Sequence, residues 1–167
     1  MSRIIPHLWY SERAAEAAAF YASLFPDSRV DRVTTIPTDT PGGTAGSVEV
    51  VEFTLFGQPF RAIGAGPLDP FNHAVSFVVT CADQAEVDRY WEGLLVGGAA
   101  EQCGWLRDRY GVSWQIVPDA LGRMMSDPDP VKAKRVGDAM LRMVRFDIAA
   151  LEAAFEGPAG SGLPPGV

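Results

Sequence analysis

The sequence predicts an α+β domain of two βαβββ modules, whose curved mixed sheets surround a cleft, with helices added at the C-terminal end. Three observations carry this reading. The helical stripe Glu16, Phe20, Tyr21, Leu24 recurs as Glu86, Tyr90, Trp91, Leu94 with identical spacing, which is the mark of an internal repeat. A β-prone run precedes each stripe, and hairpin-like runs follow each one. After Pro118 the alternation stops and only helical periodicity remains.

The elements follow in order. Ile4–Tyr10 is a short strand, with Ile5, His7 and Trp9 on one face and Ile4, Leu8 and Tyr10 on the other. Ser11 is the expected N-cap of a helix over 12–25, where Ala14, Ala17, Ala18, Tyr21, Leu24 and Phe25 form the apolar stripe and Pro26 stops it. Arg29–Ile36 alternates as a strand. Pro37–Gly46 is a Pro/Gly/Thr loop. Val48–Phe56 and Phe60–Ala65 form a hairpin about a tip at Gly57-Gln58, and Pro59 is tolerable at a strand start. Gly66–Asn72 carries two prolines and reads as a linker.

The second half opens with a β-branched run, His73–Thr80. Asp83 and Glu86 then form a capping box ahead of Val87, Tyr90, Trp91, Leu94 and Leu95, and Gly97-Gly98 ends that helix. Gln102–Leu106 and Val112–Val117 are strands about a turn at Asp108–Gly111. Two further stripes follow: Val136, Ala139, Met140 and Met143, then Ile148, Leu151 and Phe155 behind a cap at Asp147. The expected organisation is one domain over 1–157, with halves of about 1–70 and 71–118, a helical extension over 119–157 and a mobile tail at 158–167.

Composition narrows the function. The chain has 167 residues, 47% of them hydrophobic and 21% charged, which is a globular composition. A net charge of −7, with fourteen scattered Lys and Arg, argues against nucleic acid or an anionic membrane as partner. No stretch of eighteen apolar residues occurs, and the N-terminal run has no signal-peptide core. Cys81 and Cys103 are the only cysteines and read as reduced thiols of a cytoplasmic protein.

The block Cys103-Gly104-Trp105-Leu106-Arg107-Asp108-Arg109-Tyr110-Gly111-Val112-Ser113-Trp114-Gln115-Ile116-Val117-Pro118 resembles the signature of the PhnB-like proteins, a group that also carries the label 3-demethylubiquinone-9 3-methyltransferase. Phe20-Tyr21-Ala22-Ser23-Leu24-Phe25-Pro26-Asp27-Ser28, Asp88-Arg89-Tyr90-Trp91 and Asp147-Ile148-Ala149-Ala150-Leu151 extend the resemblance over about residues 3–155. It implies the vicinal-oxygen-chelate fold of the glyoxalase/bleomycin-resistance superfamily, and a homodimer, whose interface the two C-terminal stripes would supply. It does not imply one activity, because a fold hosts many chemistries.

Metal-using members of that superfamily place a ligand in the first strand and a carboxylate in the last strand of each half. The resemblance carries the first-strand positions onto His7 and His73, the only two histidines. It carries the last-strand positions onto Gln115, four residues after Gly111, and onto Arg61, four after Gly57. Gln115 is a weak neutral donor and Arg61 a permanent cation, whereas a catalytic divalent site wants three strong ligands and an open position. No resident cofactor is therefore expected, and the two imidazoles read as pocket-lining groups. A divalent metal on His7, His73 and Gln115 is the alternative, and Glu49 or Glu52 would complete it if strand register brought one into the cleft.

The candidate lining is His7, Trp9, Phe53, Arg61, His73, Trp105 and Gln115, which suits a flat, partly polar small molecule. The expected function is small-molecule binding for sequestration or resistance. A metal-dependent lyase, isomerase or dioxygenase is the second reading, and a methyltransferase the third. The third lacks the glycine-rich turn after a first strand, since Ser11-Glu12-Arg13-Ala14 stands there. Cys103 reads as a small packed thiol rather than a nucleophile, Trp91 as core, and Asp108 as a turn residue bonded to its own backbone.

Overall fold

Alternation along the strands decides which face each sheet buries. In β1 (His7–Tyr10) Leu8 and Tyr10 are buried while His7 and Trp9 are exposed, so the strand offers one face to a helix and one to solvent. The structure, a computed structural model, describes residues 4–67 and 69–157, and it divides between Pro70 and Phe71 into two units. The expected mobile tail at 158–167 lies outside the described residues.

The first unit continues with α1 (Ala14–Leu24), β2 (Arg29–Thr35), β3 (Glu49–Leu55) and β4 (Gln58–Gly64). Its sheet runs β1-β4-β3-β2, with β1 parallel to β4 and the other pairs antiparallel. The alanine-rich face of α1 explains the packing. Ala14, Ala17 and Ala18 are buried with Tyr21 over Val51, Phe53, Leu55, Phe60 and Ala62, and small side chains bring helix and sheet close. Two local expectations change. Ser11 is not the cap: Arg13 holds that place at φ 64, with its guanidinium on Glu16. The hairpin tip is Phe56-Gly57, at φ 47 and 73, because a two-residue type I′ turn needs both residues left-handed.

The second unit repeats the plan as β5 (Phe77–Cys81), α2 (Gln84–Leu95), β6 (Ala99–Ala100), β7 (Trp105–Arg107) and β8 (Ser113–Pro118), in the order β5-β8-β7-β6. Again the first strand is parallel to the last and the remaining pairs are antiparallel. The capping box forms: Asp83 Oδ1 accepts from the Glu86 N–H at 2.9 Å, and Glu86 Oε2 accepts from the Ala82 N–H at 2.9 Å. The expected strand over His73–Thr80 begins only at Phe77. His73 lies in a preceding turn, where Asn72 Oδ1 accepts from the Ala74 N–H. The strand expected from Gln102 begins at Trp105, because Cys103 at φ 57 and Gly104 at φ 78 break it.

Three helices complete this unit: α3 (Asp119–Met125), α4 (Pro130–Met140) and α5 (Ile148–Glu156), the last capped by Asp147 as expected. Leu121, Met124, Val136, Ala139, Phe146 and Leu151 form a cluster, with Met140, Met143 and Phe155 packed on it. Both C-terminal stripes are thus consumed inside the unit, so they are not the free faces that the expected interface required. Two four-stranded mixed sheets and five helices among the described residues make an α+β fold of paired βαβββ modules.

Candidate functional site

Each sheet has one face that its helix leaves uncovered, and strand register fixes which residues stand there. In the first unit His7 is opposite Arg61, Arg61 opposite Glu52, and Glu52 opposite Arg32. These four form one row across the sheet. Glu52 is clamped by both cations: Arg61 Nη2 lies 3.2 Å from Oε1, and Arg32 Nε lies 3.3 Å from Oε2. The next row is Trp9, Ile63, Val50 and Thr34. The Trp9 indole N–H donates to the Gly66 carbonyl at 3.0 Å, and the residue is 39% exposed.

Phe53 is one residue from Glu52 and therefore faces the other way. It is 1% exposed and stacks on Phe60 at 5.3 Å. The expectation that Phe53 lines the open face fails, because alternation along β3 assigns it to the core under α1.

In the second unit Val78, Gln115 and Trp105 share an open-face row. Gln115 Nε2 donates to Ser76 Oγ at 2.8 Å. The His73 ring packs against Trp105 at 5.8 Å between centroids, and its Nε2 lies 2.6 Å from Glu101 Oε2. The structure thus gathers His73, Trp105 and Gln115 in this unit, and His7, Trp9 and Arg61 in the other.

The register also identifies equivalent positions. Arg61 and Gln115 each stand four residues after a left-handed glycine, Gly57 and Gly111. Their parallel partners are His7 and Val78. Val78, not His73, is therefore the counterpart of His7, and the carry-over of a first-strand ligand onto His73 is corrected. The paired positions hold histidine and arginine in the first unit, and valine and glutamine in the second. Of the two glutamates held in reserve, Glu49 has the parity of Phe53 and lines a groove beside α1. Glu52 has the parity of His7 but is two strands away, about 10 Å at ordinary strand spacing, with Arg61 between them. No group of three or more His, Cys, Asp or Glu side chains placed to hold a metal occurs among the described residues. Neither pair by itself fits a divalent ion.

Two grooves lie away from these rows. One of about 580 Å³ is lined by Glu12, Arg13, Glu16, Gly42, Ser47 and Glu49 among others, and one of about 500 Å³ runs past Gln84, Asp88 and Arg145. Of the ligand candidates from the sequence, Glu49 alone lines one of them. The first is lined by three carboxylates, with its arginine held on Glu16.

Both cysteines are free. Burial, aided by the charges of Glu86, Asp119 and Asp83, pushes the Cys81 thiol up to about 12. Cys103 donates its S–H to the Met140 carbonyl at 3.6 Å and packs on the C-terminal cluster. Neither environment makes a nucleophile. Sequence reasoning missed Arg32, Ser76, Glu101 and Val78. Pairing across the hairpin sets Glu52 opposite Arg61, but Arg32 reaches Glu52 from β2, past a register shift between Val30 and Arg32 that no turn signal marks.

Paired βαβββ modules with open mixed sheets are the architecture of the vicinal oxygen chelate superfamily. Within it, the chain belongs to the family described as 3-demethylubiquinone-9 3-methyltransferase, whose model matches residues 2–117. Among solved structures, a PhnB protein of Bacillus cereus carrying the same description is 32% identical, with 70% of this chain and 99% of that one covered and a TM-score of 0.61. A Pseudomonas aeruginosa protein is 18% identical over 71% and 100% of the two chains, with a TM-score of 0.54. The fosfomycin resistance protein FosX of Listeria monocytogenes is 12% identical over 75% and 98%, with a TM-score of 0.54, and these last two likenesses concern the fold alone. No curated protein matches the sequence.

Proposed function

We propose that this chain is a small-molecule-binding protein of the sequestering or resistance kind, which holds its ligand by hydrogen bonds, charge and ring stacking without a resident metal. The observation that carries the reading is what each module holds at its paired first-strand and last-strand positions: His7 with Arg61 in the first, Val78 with Gln115 in the second. Neither pair supplies the three strong ligands a catalytic divalent ion requires, and in the first module a guanidinium stands beside the imidazole and repels a cation. What these faces do offer is hydrogen-bonding groups beside partly exposed indoles, Trp9 and Trp105, a pattern common in small-molecule sites.

Elemental analysis and a thermal-shift screen test this together. The expected result is metal well below one equivalent, and shifts with aromatic compounds that chelators leave unchanged. A stoichiometric, tightly held metal would overturn it. That outcome would favour a metal-dependent lyase, isomerase or dioxygenase, a reading supported by the fold shared with a Listeria FosX solved with Mn(II) at 13% identity.

The family description names a methyltransferase. The mixed four-stranded sheets and the glycine-free turn Ser11–Arg13 offer little to a nucleoside-bearing methyl donor, and calorimetric binding of that donor would reverse this judgement. No described helix is long and apolar enough to cross a membrane. A cytoplasmic homodimer completes the proposal on the strength of the family resemblance, and light scattering that finds only an 18.0 kDa species removes the dimer.

A further inference from the structure

The row His7–Arg61–Glu52–Arg32 holds one carboxylate between two guanidiniums, in a chain whose net charge is −7. One arginine would have been enough to neutralise Glu52. The second leaves the row with a positive surplus, on a face that α1 does not cover. The ion pairs are 3.2 and 3.3 Å long, longer than a strong charge-assisted hydrogen bond of about 2.7–2.9 Å. Each engages a single nitrogen of a group that has five N–H donors. Glu52 is the more buried partner, at 32% exposure against 52% for Arg61 and 64% for Arg32. The guanidiniums are therefore tethered from below with donors to spare. His7 stands beside Arg61 in the register, and the next row brings the Trp9 ring beside Ile63 and Val50.

From this arrangement we infer that the open face of the first module binds a small oxyanion, a carboxylate or a phosphate-type group, on Arg61 and Arg32, with His7 flanking Arg61. The apolar body attached to that anion lies along Trp9 and Ile63. Planar guanidiniums match the paired oxygens of such groups, and the Trp9 indole N–H is already used by Gly66, so the ring serves as a surface rather than a donor. This rests on the small-molecule reading above and gives it a ligand class.

Calorimetric and thermal-shift titrations of the full chain with benzoate, benzamide and inorganic phosphate test it. Benzoate is expected to bind about tenfold or more tightly than benzamide, because only the carboxylate makes charge-assisted bonds. Arg61→Gln and Arg32→Gln are each expected to weaken benzoate about tenfold, with far-ultraviolet circular dichroism unchanged. Trp9→Leu should weaken benzoate and leave phosphate alone if the body of the ligand matters, whereas equal losses would refute the part assigned to Trp9. Benzamide binding as well as benzoate, or both arginine variants retaining full benzoate affinity, overturns the inference. Should Arg61→Gln fail to fold, Arg32→Gln and the benzoate-to-benzamide ratio of the unaltered chain still decide. If neutral aromatics bind while benzoate and phosphate do not, the oxyanion is lost and the small-molecule reading stands. If no probe binds, both are lost.

Discussion

The indole N–H of Trp114 donates to Asp108 Oδ2 across 2.8 Å, at a carboxylate that is 3% exposed. The other oxygen accepts from the Tyr110 and Val112 N–H groups at 2.8 and 3.0 Å. Asp108 thus closes its own turn, as the sequence suggested, and also anchors a buried tryptophan of the last strand. Asp108→Ala takes this acceptor from three donors, two of them buried, and should cost roughly 3 kcal/mol or more. Asp108→Asn can keep the two backbone bonds but presents an amide to the indole, so it should cost roughly 1–3 kcal/mol. Urea denaturation followed by tryptophan fluorescence checks both. Equal losses for the two variants would show that the two backbone bonds contribute nothing beyond the indole bond.

Cys81 gives the chain an alkaline weakness. Its folded value of about 12 stands above the ordinary 9.0, so the folded state keeps the thiol proton that the unfolded chain releases. Stability from this group is complete below pH 9.0 and declines as the pH climbs toward about 12, because there the unfolded state binds fewer protons. Cys81→Ala should flatten the alkaline limb of stability against pH. In the native protein Cys81 should react with a thiol reagent at pH 8 only after denaturant is added.

The capping box argues a smaller effect. Asp83 receives the Glu86 N–H, and Glu86 returns a bond to the Ala82 N–H. Asp83→Ala should cost roughly 1 kcal/mol. Ser11→Ala should cost nothing measurable as a helix cap, since Arg13 occupies that position in the first module. Thermal melts of the two variants side by side separate a real cap from one that only the sequence suggests.

That contrast marks how far the sequence could be read. Periodicity reports faces, so the buried Tyr21, Trp91 and Leu94 and the exposed His7 and Trp9 were legible, as was the repeated strand and helix order. Register is set by turns, and the turns were read one residue out. The Phe56-Gly57 tip determines that Glu52 rather than Thr54 meets Arg61, whereas Phe53 faces away from Arg61 under either tip, by alternation alone. His73 was misplaced for a related reason. A β-branched run such as Ala74–Thr80 does not announce where hydrogen bonding begins, and the Asn72 side chain turns the chain before Phe77. The two-residue strand β6 is too short to show any period.

Gly104 is where the last unit is most exposed to a single methyl group. A Cβ there would lie 2.4 Å from the Phe146 ring and 2.8 Å from the Ile116 carbonyl oxygen, on a backbone at φ +78. Its own N–H donates to the Val144 carbonyl, and the Cys103 N–H to that of Met143, so this break in the strand is also where the segment before α5 docks. Gly104→Ala cannot relieve the clash by moving backbone without losing those bonds. Phe146, 2% exposed in the C-terminal cluster, must shift instead. Gly57→Ala is the control, for it has φ +73 with nothing within 4 Å of the added carbon. It should cost only the left-handed strain, roughly 1–2 kcal/mol, whereas Gly104→Ala adds overpacking for a total of roughly 2–5 kcal/mol. Hydrogen exchange should find the added loss concentrated in α3–α5 for Gly104→Ala and at the first hairpin for Gly57→Ala. Equal costs, or faster exchange in the first module for both, would mean that the C-terminal helices do not depend on the contact between Gly104 and Phe146.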